Sequence, residues 1–350
     1  MLTQKKCDRL NFMDRETLKK MSKTKKIVIS VFLTFIFLCV CLMTFLHSKL
    51  NRINRVDTSD IDMVSPEDET FETDGSLAQE GTKTDEVDVF WNNVDMDIMR
   101  DENVHNILLI GQDRRSGEGR QRSDAMIICS INKNNGKLIL TSLMRDMYVP
   151  IPGYSDNRIN AAYQLGGMPL LNQVILECFG IEIDGNIEVD FDGFVEALSY
   201  VGNLKIELSA NEVTYLNKMK NWKFKEGVNE LTPEQALAYS RMRYTGNSDW
   251  ERTDRQRRVI MAALDNVKGM KFMELVTLAD QILPCITTDM SNSEIFGYIY
   301  TVVVHRITGT ESHRIPVQDT YTMETIKNMK VLVPDLAENS RYLKLYIYGR

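Results

Sequence analysis

The most extended apolar segment of the chain is residues 27–46, twenty positions without a charged side chain. At 1.5 Å per residue, a helix of this length spans the roughly 30 Å hydrocarbon core of a bilayer. The run is too long for the core of a typical signal peptide, and no small-residue cleavage site follows it. The pattern therefore predicts a transmembrane helix over 27–46 rather than a cleaved signal or a buried core helix.

Charge on either side of this run predicts its orientation. Residues 1–26 carry nine Lys and Arg against three Asp and Glu, whereas only Lys49, Arg52 and Arg55 follow the run closely. Basic residues accumulate on the cytoplasmic side of membrane helices. We therefore expect a cytoplasmic tail at 1–26 and an extracytoplasmic location for everything after about residue 47.

The polar segment that follows, 47–89, has little apolar material to bury. Its part 56–89 holds one Lys and twelve Asp and Glu, with few large apolar residues. Such a composition cannot bury enough surface to offset the entropy of ordering the chain. The segment is expected to be a flexible acidic stalk, with the folded domain beginning at residue 90 and running to residue 350.

Within 90–350, short β-type runs and longer helical patterns interleave. Residues 125–131 and 137–143 flank an Asn-Asn-Gly turn, which is a strong hairpin signal. Thr232, Pro233 and Gln235 form a capping-box start for a helix. Further strands are predicted at 104–110, 187–189, 204–208, 314–317 and 343–348, and helices at 159–179, 192–201, 233–239, 250–268, 272–283 and 293–304. This interleaving predicts an α/β fold of sandwich type in one domain.

Composition excludes several functional classes. The net charge is −7, and 90–350 carries 29 basic and 34 acidic residues, which does not favour a nucleic-acid partner. The six cysteines include no C-x-x-C pair, so neither a zinc site nor a disulfide framework is indicated. Nucleophile-elbow, zincin and P-loop motifs are absent.

Arginine is concentrated between residues 239 and 258, a window with six arginines and no lysine. The planar guanidinium suits bidentate binding of phosphate, so this preference indicates an anion site. Arg252, Arg255 and Gln256 share one helical face and are expected to converge on one ligand. Arg241 and Arg243 can face that ligand only if the preceding helix ends near them, and Arg257 and Arg258 are expected to be solvated. A surface helix with internal ion pairs through Asp249, Glu251 and Asp254 is the equally weighted alternative.

Acidic and basic residues also recur where the predicted strands end. Ligands of α/β proteins bind outside the carboxyl ends of strands, and Mg²⁺ favours one or two carboxylates together with phosphate oxygens. Three such strand ends favour a magnesium and pyrophosphate site over ordinary loop ion pairs. The residues concerned are Asp113 and Arg115 after the first strand, Arg122 and Asp124 before the second, and Arg145 and Asp146 after the third.

These segments together resemble the LytR-CpsA-Psr family of bacterial cell-wall proteins over about residues 103–265. The similar stretches are GQDRR (111–115), RSDAMII (122–128), SLMRDMYVPI (142–151), RINAAYQLGG (158–167), LTPEQALAYSRMR (231–243) and SDWERTDRQRR (248–258). The resemblance implies an α-β-α sandwich with a hydrophobic pocket for a polyprenyl chain, to which we assign the helices 159–179 and 192–201 as walls. It also implies a single-pass protein of a Gram-positive-type cell membrane.

The resemblance implies a role for each matching residue. Asp113 and Asp124 would bind Mg²⁺ and, with Arg145 and Arg252, would form the catalytic set. Met144 departs from the proline that many relatives carry. The residues implied to hold or surround the pyrophosphate are Arg115, Arg122, Arg145, Asp146, Asn160, Arg241, Arg243, Asp249, Arg252, Arg255 and Gln256.

Family members are similar to phosphotransferases that move a teichoic acid or capsular polysaccharide from an undecaprenyl pyrophosphate carrier to a peptidoglycan hydroxyl. That chemistry depends on positioning and charge stabilisation, so it needs no Ser or Cys nucleophile. The general base would be Asp113 or Asp124, if either is not fully occupied by the metal ion. Two alternatives stay open: a polyprenyl-pyrophosphate pyrophosphatase, and a non-catalytic membrane-anchored module that binds lipid or cell wall and regulates envelope assembly.

Overall fold

The computed structural model of the protein describes residues 53–71, 91, 96–112, 114, 119–242, 248–268, 270 and 272–350. The predicted tail 1–26 and transmembrane run 27–46 lie outside the described residues, as do Asp113, Arg115 and Arg243. Among the residues described, no helix combines the length and apolar character that crossing a membrane requires.

A mixed seven-stranded sheet forms the centre of the fold, with strand order β1-β10-β7-β2-β3-β4-β11. Three two-stranded sheets, β5-β6, β8-β9 and β12-β13, lie outside it. The strands are β1 Asn54–Arg55, β2 Val104–Gln112, β3 Ser123–Asn132, β4 Lys137–Leu143, β5 Tyr148–Val149, β6 Asn157–Arg158, β7 Gly185–Asp190, β8 Leu204–Leu208, β9 Gly227–Leu231, β10 Thr287–Thr288, β11 Gly309–Ile315, β12 Tyr321–Ile326 and β13 Met329–Pro334.

The α-helices of the described ranges follow the strands closely in sequence. They are α1 Ile159–Phe179, α2 Phe191–Val201, α3 Ala210–Lys220, α4 Pro233–Ser240, α5 Ser248–Val267, α6 Phe272–Ile282, α7 Asn292–Val304 and α8 Leu336–Tyr348. The predicted capping box is confirmed at α4, where Thr232 and Gln235 each bond the other's backbone N–H. The mixed α/β class predicted from the interleaved pattern is confirmed.

Strand directions bring the predicted strand ends together. β2 runs parallel to β7 and antiparallel to β3, and β3 is antiparallel to β4. The carboxyl ends of β2, β4 and β7 therefore meet the amino end of β3 at one edge of the sheet. At this edge Gln112 pairs with Ser123, and a bulge between Gly111 and Gln112 shifts the register.

Helices cover both faces of the sheet, because alternate residues of each central strand point to opposite sides. On one face Leu108 and Ile128 pack against α1 and α8, which contribute residues such as Leu343. On the other face Ile107 and Ile131 pack against α7. The core is therefore divided by the sheet into two apolar layers.

Residues 53–71 are part of the folded unit, so the expectation of a flexible stalk throughout 47–89 is wrong for this stretch. β1 pairs in parallel with β10, and Ile53 is buried. The backbone N–H of Val64 donates to Leu165 O at 2.8 Å, and Arg120 donates to the carbonyls of both Asp62 and Gln164. Backbone pairing with distant parts of the chain supplies the order that the side-chain composition does not predict.

The glycines within the predicted helix 159–179 interrupt it, as their lack of a side chain favours: two helical segments meet in a kink at Gly166 and Gly167, where φ is −142° and 64°. One predicted element differs in the structure. Residues 343–348, predicted as a strand, belong to the helix α8. Leu343 and Ile347 are four residues apart and both fully buried, so packing on the sheet selects the helix over the local alternating pattern.

Candidate active site

The predicted acidic and basic residues at the sheet edge meet in the structure. Asp124 is the second residue of β3, and Arg145 follows β4 by two residues. Arg145 Nη1 donates to Asp124 Oδ1 at 2.7 Å. The second and third strand ends therefore form one polar cluster, as the strand order requires.

Arg145 is the hub of this cluster. Its Nε lies 3.6 Å from Asp146 Oδ1, and its Nη2 lies 3.9 Å from Asp249 Oδ1. Burial alone would lower the pKa of Arg145, but the three surrounding carboxylates outweigh burial and raise that pKa above its usual value. The guanidinium is therefore permanently charged.

Asp146 lies deeper than Asp124 and is shared between two arginines. Arg158 Nε lies 3.5 Å from Asp146 Oδ1, the same oxygen that Arg145 Nε approaches. Burial raises the pKa of Asp146 above its usual value, and the two guanidinium groups oppose that rise. Asp146 consequently anchors the arginines at the sheet edge.

Helix α5 brings a second arginine to the cluster. Arg252 Nη2 lies 3.2 Å from Asp249 Oδ1 one turn earlier, and the Arg252 side chain is only 4% exposed. The same carboxylate faces Arg145, so Asp249 ties α5 to the sheet edge. Further along the edge, Arg122 Nη1 donates to Asn160 Oδ1 at 3.5 Å and its Nη2 donates to Thr70 O at 2.9 Å.

An apolar cavity of about 510 Å³ lies between the sheet and the helices α2, α4 and α5. Its end at the sheet edge, which we call the mouth, is lined by the polar residues Asp124, Asp190, Ser240, Arg241, Arg252 and Gln256. Its interior is apolar, with wall residues that include Leu109, Ile127, Ile187, Val189, Phe191, Phe194, Ala197, Leu198, Leu237, Ile260 and Ile286. This volume and this division into an apolar body and a polar end are typical of a site for a ligand with an apolar tail.

Helix α4 ends beside the cavity, as the predicted role of Arg241 needs. Arg241 is the C-cap residue of α4, and its guanidinium lies 4.0 Å from the centre of the Phe191 ring. Of the two predicted pocket walls, α2 lines the cavity. Helix α1 does not, because it packs on the opposite face of the sheet with Leu108 and Ile128.

The expected convergence of Arg255 with Arg252 and Gln256 is wrong. Arg255 is buried on another side of α5, where its Nε donates to Glu212 Oε1 at 2.8 Å and its Nη2 donates to Glu251 Oε2 at 2.5 Å. Its Nη1 donates to Met242 O at 3.0 Å. Arg255 therefore joins α5 to α3, and the cavity that it helps to line is a separate polar one.

The expectation that Arg257 is solvated is also wrong. It is buried between α5 and the sheet, and donates to Ser142 Oγ at 2.5 Å and to Ser312 Oγ at 2.6 Å. Burial lowers the pKa of Arg257 to about 10, although Asp254 opposes that effect. Arg258 is half-exposed and contacts Tyr239 and Glu212. The alternative prediction, a helix with internal ion pairs, gave the correct acidic partners, because Asp249, Glu251 and Asp254 each pair with an arginine of α5. These three arginines are buried, however, and not on an exposed surface.

Several residues at the sheet edge were missed in the sequence. Glu188, at the end of β7, is buried and accepts hydrogen bonds from Gln112 and Tyr163. Burial and Glu188 together raise the pKa of Tyr163. Arg114 lies 3.7 Å from Glu188 and 3.5 Å from Asp190. No local sequence pattern distinguishes Glu188, Tyr163 or Arg114. Arg158 was also not predicted as a site residue, although it is the first residue of the family-like stretch 158–167.

The fit to a divalent cation depends on a small donor set. Asp124 lies at the mouth of the cavity with one oxygen bonded to Arg145, while Asp113 falls outside the described residues. In the described ranges, no three His, Cys, Asp or Glu side chains are grouped to hold a metal ion. A single carboxylate fits a cation such as Mg²⁺, which phosphate oxygens of a ligand can hold in large part.

Two named proteins are similar to this chain in sequence. It is 35% identical over 193 residues to the polyisoprenyl-teichoic acid–peptidoglycan teichoic acid transferase TagU of Oceanobacillus iheyensis, covering 53% of this chain and 58% of TagU. It is 26% identical over 216 residues to the regulatory protein MsrR of Staphylococcus aureus, covering 61% and 65% of the two chains. The chain therefore matches less than two thirds of the length of either relative.

The fold is also similar to that of TagT from B. subtilis, solved with bound octaprenyl pyrophosphate lipid. That similarity has a TM-score of 0.55 at 22% identity and covers 70% of this chain and 91% of TagT. The model of the LytR_cpsA_psr family matches residues 67–344. On this match over most of its length, the chain belongs to the LytR-CpsA-Psr family.

Proposed function

We propose that this protein transfers a glycopolymer from a polyprenyl pyrophosphate carrier to a peptidoglycan hydroxyl. The observation that carries the proposal is the cavity, which is lined mainly by apolar side chains and, at the sheet edge, by Asp124, Asp190, Arg241, Arg252 and Gln256. A polyprenyl pyrophosphate has the same division, with a long apolar tail and a charged head. The apolar wall would hold the tail, and the arginines would hold the pyrophosphate.

Known relatives support the substrate class. TagU is named as a transferase that moves teichoic acid from a polyisoprenyl carrier to peptidoglycan, and TagT has been solved with octaprenyl pyrophosphate. We extend those substrates to this chain because it shares their family and presents a cavity of suitable polarity. An undecaprenyl carrier, with teichoic acid or capsular polysaccharide as its cargo, is our proposal for the natural substrate.

Charge at the sheet edge suits a pyrophosphate. The cluster holds five arginines and three aspartates, and Arg114 with Glu188 and Asp190 beside it brings the described sheet edge to six arginines and five carboxylates, which leaves a net positive charge for an anionic ligand. Arg145 and Arg158 are held in place by ion pairs with the aspartates, so they would contribute to the positive electrostatic potential at the site without contacting the ligand. Arg122, Arg241 and Arg252 would contact the phosphate oxygens. The cluster consists of Arg122, Arg145, Arg158, Arg241, Arg252, Asp124, Asp146 and Asp249.

In the proposed reaction, an acceptor hydroxyl of peptidoglycan, the C6 hydroxyl of N-acetylmuramic acid, attacks the phosphorus nearer the sugar. A new P–O bond forms to the acceptor, the bond between that phosphorus and the bridging oxygen breaks, and undecaprenyl phosphate leaves with the electron pair. Asp124 or Asp113, whichever carboxylate keeps an oxygen that is not bound to a metal ion, accepts the hydroxyl proton. Arg252 neutralises the charge that develops on the leaving phosphate.

We also propose that Mg²⁺ is used, with Asp124 and Asp113 as its ligands. Bound with the pyrophosphate, the ion would neutralise phosphate charge. The remaining proposed surroundings are the predicted transmembrane helix 27–46, a cytoplasmic N-terminus and an extracytoplasmic domain. This topology would place the cavity on the side of the membrane where peptidoglycan lies.

The test uses the full chain in lipid nanodiscs with a synthetic polyprenyl-pyrophosphoryl saccharide, peptidoglycan fragments and Mg²⁺. Mass spectrometry should detect a saccharide joined to the glycan through a phosphodiester. Arg252→Ala should abolish this product, whereas the matched variant Arg258→Ala on the same helix should retain it, because Arg258 lies outside the cavity mouth.

Each other outcome contradicts the proposal in a different way. Free saccharide phosphate without any transfer product would identify a pyrophosphatase. Lipid binding without cleavage for all acceptors tried would identify a binding module. Equal activity of the two variants would remove Arg252 from the site.

A further inference from the structure

Helix α7 exposes an apolar face that none of the described residues covers. Ile299, Tyr300, Val303 and Val304 are between 51% and 66% exposed. They lie at spacings of one, four and five residues, so they form a single patch on the helix surface. A contiguous apolar patch of this kind marks an interaction surface more often than isolated exposed side chains do.

The opposite side of α7 is apolar as well. Ile295, Tyr298 and Val302 are partly buried against the sheet, where they pack with Ile107 and Ile131. A surface helix of a soluble domain normally has a polar outer face, and a helix that is apolar on both sides is usually covered on both. The outer face of α7 is therefore expected to have a partner in the assembled protein.

The position of β1, the first strand of the described residues, indicates which partner this is. β1 pairs with β10, four residues before α7, and Arg55 Nε donates to Met290 O at 3.0 Å. Arg55 also bonds the side chain of Asn292, the first residue of α7. The entry point of the chain is thus fixed to the beginning of this helix.

The connection from the predicted transmembrane run to this entry point is short. Seven residues, 47–53, separate residue 46 from Asn54. Fully extended, they allow a separation of at most roughly 29 Å. A helix of 13 residues is about 20 Å long, so a connection of this length would allow the exposed face of α7 to reach the surface of a membrane that holds residue 46.

We propose that the exposed face of α7 docks on the outer leaflet of the membrane that holds the chain. Its occupant is the phospholipid bilayer, into whose interface the four apolar side chains insert. Interfacial helices bury such a face by 5–10 Å at the boundary between headgroups and acyl chains. Arg306, which follows α7 and is exposed, can reach the phosphates of the headgroups.

Docking would also orient the cavity towards its substrate. Leu109 and Ile187 take part both in the packing of α7 and in the wall of the cavity. Ile286, another wall residue, immediately precedes β10. A domain held by α7 would keep this cavity close to the bilayer in which a polyprenyl lipid resides. The docking itself rests on the predicted transmembrane span and not on the transfer reaction.

The test places one fluorescent label on the patch and one elsewhere. The full chain is reconstituted into phosphatidylglycerol and phosphatidylcholine vesicles as Val303→Cys or as Val228→Cys, each coupled to an environment-sensitive dye. Val228, on β9, is a matched control because its side chain is the same and is 71% exposed. The unsubstituted chain, treated identically, measures the background from the six native cysteines.

Bromine-bearing acyl chains in the vesicles should quench the label on Val303→Cys by roughly half and leave the label on Val228→Cys nearly unchanged, because bromine quenches only at the depth that an interfacial helix reaches. Adding Ile299→Asp to the labelled Val303→Cys chain should restore most of the fluorescence. Equal quenching at both positions, or none at position 303, would overturn the proposal. The proposal would also be overturned if the dye at position 303 were shielded from water only at high protein-to-lipid ratios. A second copy of the chain, and not the bilayer, would then cover the patch.

Discussion

Replacing Arg255 with Ala should unfold the protein more readily rather than remove a substrate contact. The family resemblance implies that Arg255 holds the pyrophosphate, yet the structure places it between α5 and α3, bonded to Glu212, Glu251 and Met242 O. Its removal would leave the carboxylate of Glu212, which is 5% exposed, without its main partner.

The size of the effect follows from this burial. Breaking a buried ion pair by removing one partner costs about 3–5 kcal/mol, because the remaining charge stays desolvated. For a folded unit of nearly 300 residues, each kcal/mol lowers the melting temperature by about 2 °C, which predicts a fall of roughly 6–10 °C. Arg258→Ala should cost less than about 1 kcal/mol, because Arg258 is half-exposed and 3.9 Å from Glu212.

The difference in stability between the parent chain and Arg255→Ala should also depend on pH. Burial tends to raise the pKa of Glu212, but the bond from Arg255 and the backbone bond from Ser209 lower it overall. A lowered pKa stabilises the fold at neutral pH and loses that effect as the pH falls through the folded-state pKa. In Arg255→Ala, burial instead raises the pKa of Glu212, so protonation relieves the penalty. The gap in stability should therefore narrow as the pH falls below about 5.

Thermal unfolding of the full chain in detergent, followed by circular dichroism at pH 7.5 and pH 4, measures both effects. Saccharide transfer is assayed in parallel at a temperature where each variant is folded. A melting temperature within about 2 °C of the parent chain, combined with complete loss of transfer, would refute this reasoning. That result would return Arg255 to the pyrophosphate site.

Three further changes test other parts of the structure. Phe191→Ala removes the ring beneath Arg241 and should weaken polyprenyl pyrophosphate binding by roughly 5- to 30-fold in a fluorescence titration, with little change in melting temperature. Arg257→Ala should destabilise the fold by about 2–4 kcal/mol in urea unfolding, since it leaves two serines and Asp254 without their buried donor; an unchanged midpoint would contradict its assigned role. Val64→Asp should lower the melting temperature by roughly 4–6 °C, because it sets a charge against the core; a flexible stalk would show no change.

Local signals in the sequence predict much of the fold. The capping box at Thr232 and Gln235 and the Asn-Asn-Gly turn specify a helix start and a hairpin through contacts between near neighbours. The segment 53–71 has no such signal, because its order comes from β10 and from Leu165, both far away in the chain. Composition correctly describes its low apolar content but carries no information about those partners.

The arginine window shows the same limit at the level of the site. Residues in a helix turn by about 100° each, so Gln256 lies about 40° to one side of Arg252 and Arg255 about 60° to the other. A stripe of that width can face one cavity or two. Glu212 decides the outcome by drawing Arg255 towards α3, and a glutamate 43 residues away is not visible in the local spacing.

The most direct measurement of the central proposal is to map which residues a polyprenyl pyrophosphate contacts. A polyprenyl pyrophosphate with a photoactivatable group in its tail is bound to the full chain in nanodiscs and cross-linked, and the labelled peptides are identified by mass spectrometry. The cavity predicts labels on α2, around Phe191 and Phe194, which unlabelled polyprenyl pyrophosphate competes away. Labels confined to the polar cavity between α5 and the β8-β9 sheet, or labels that resist competition, would contradict the proposed site.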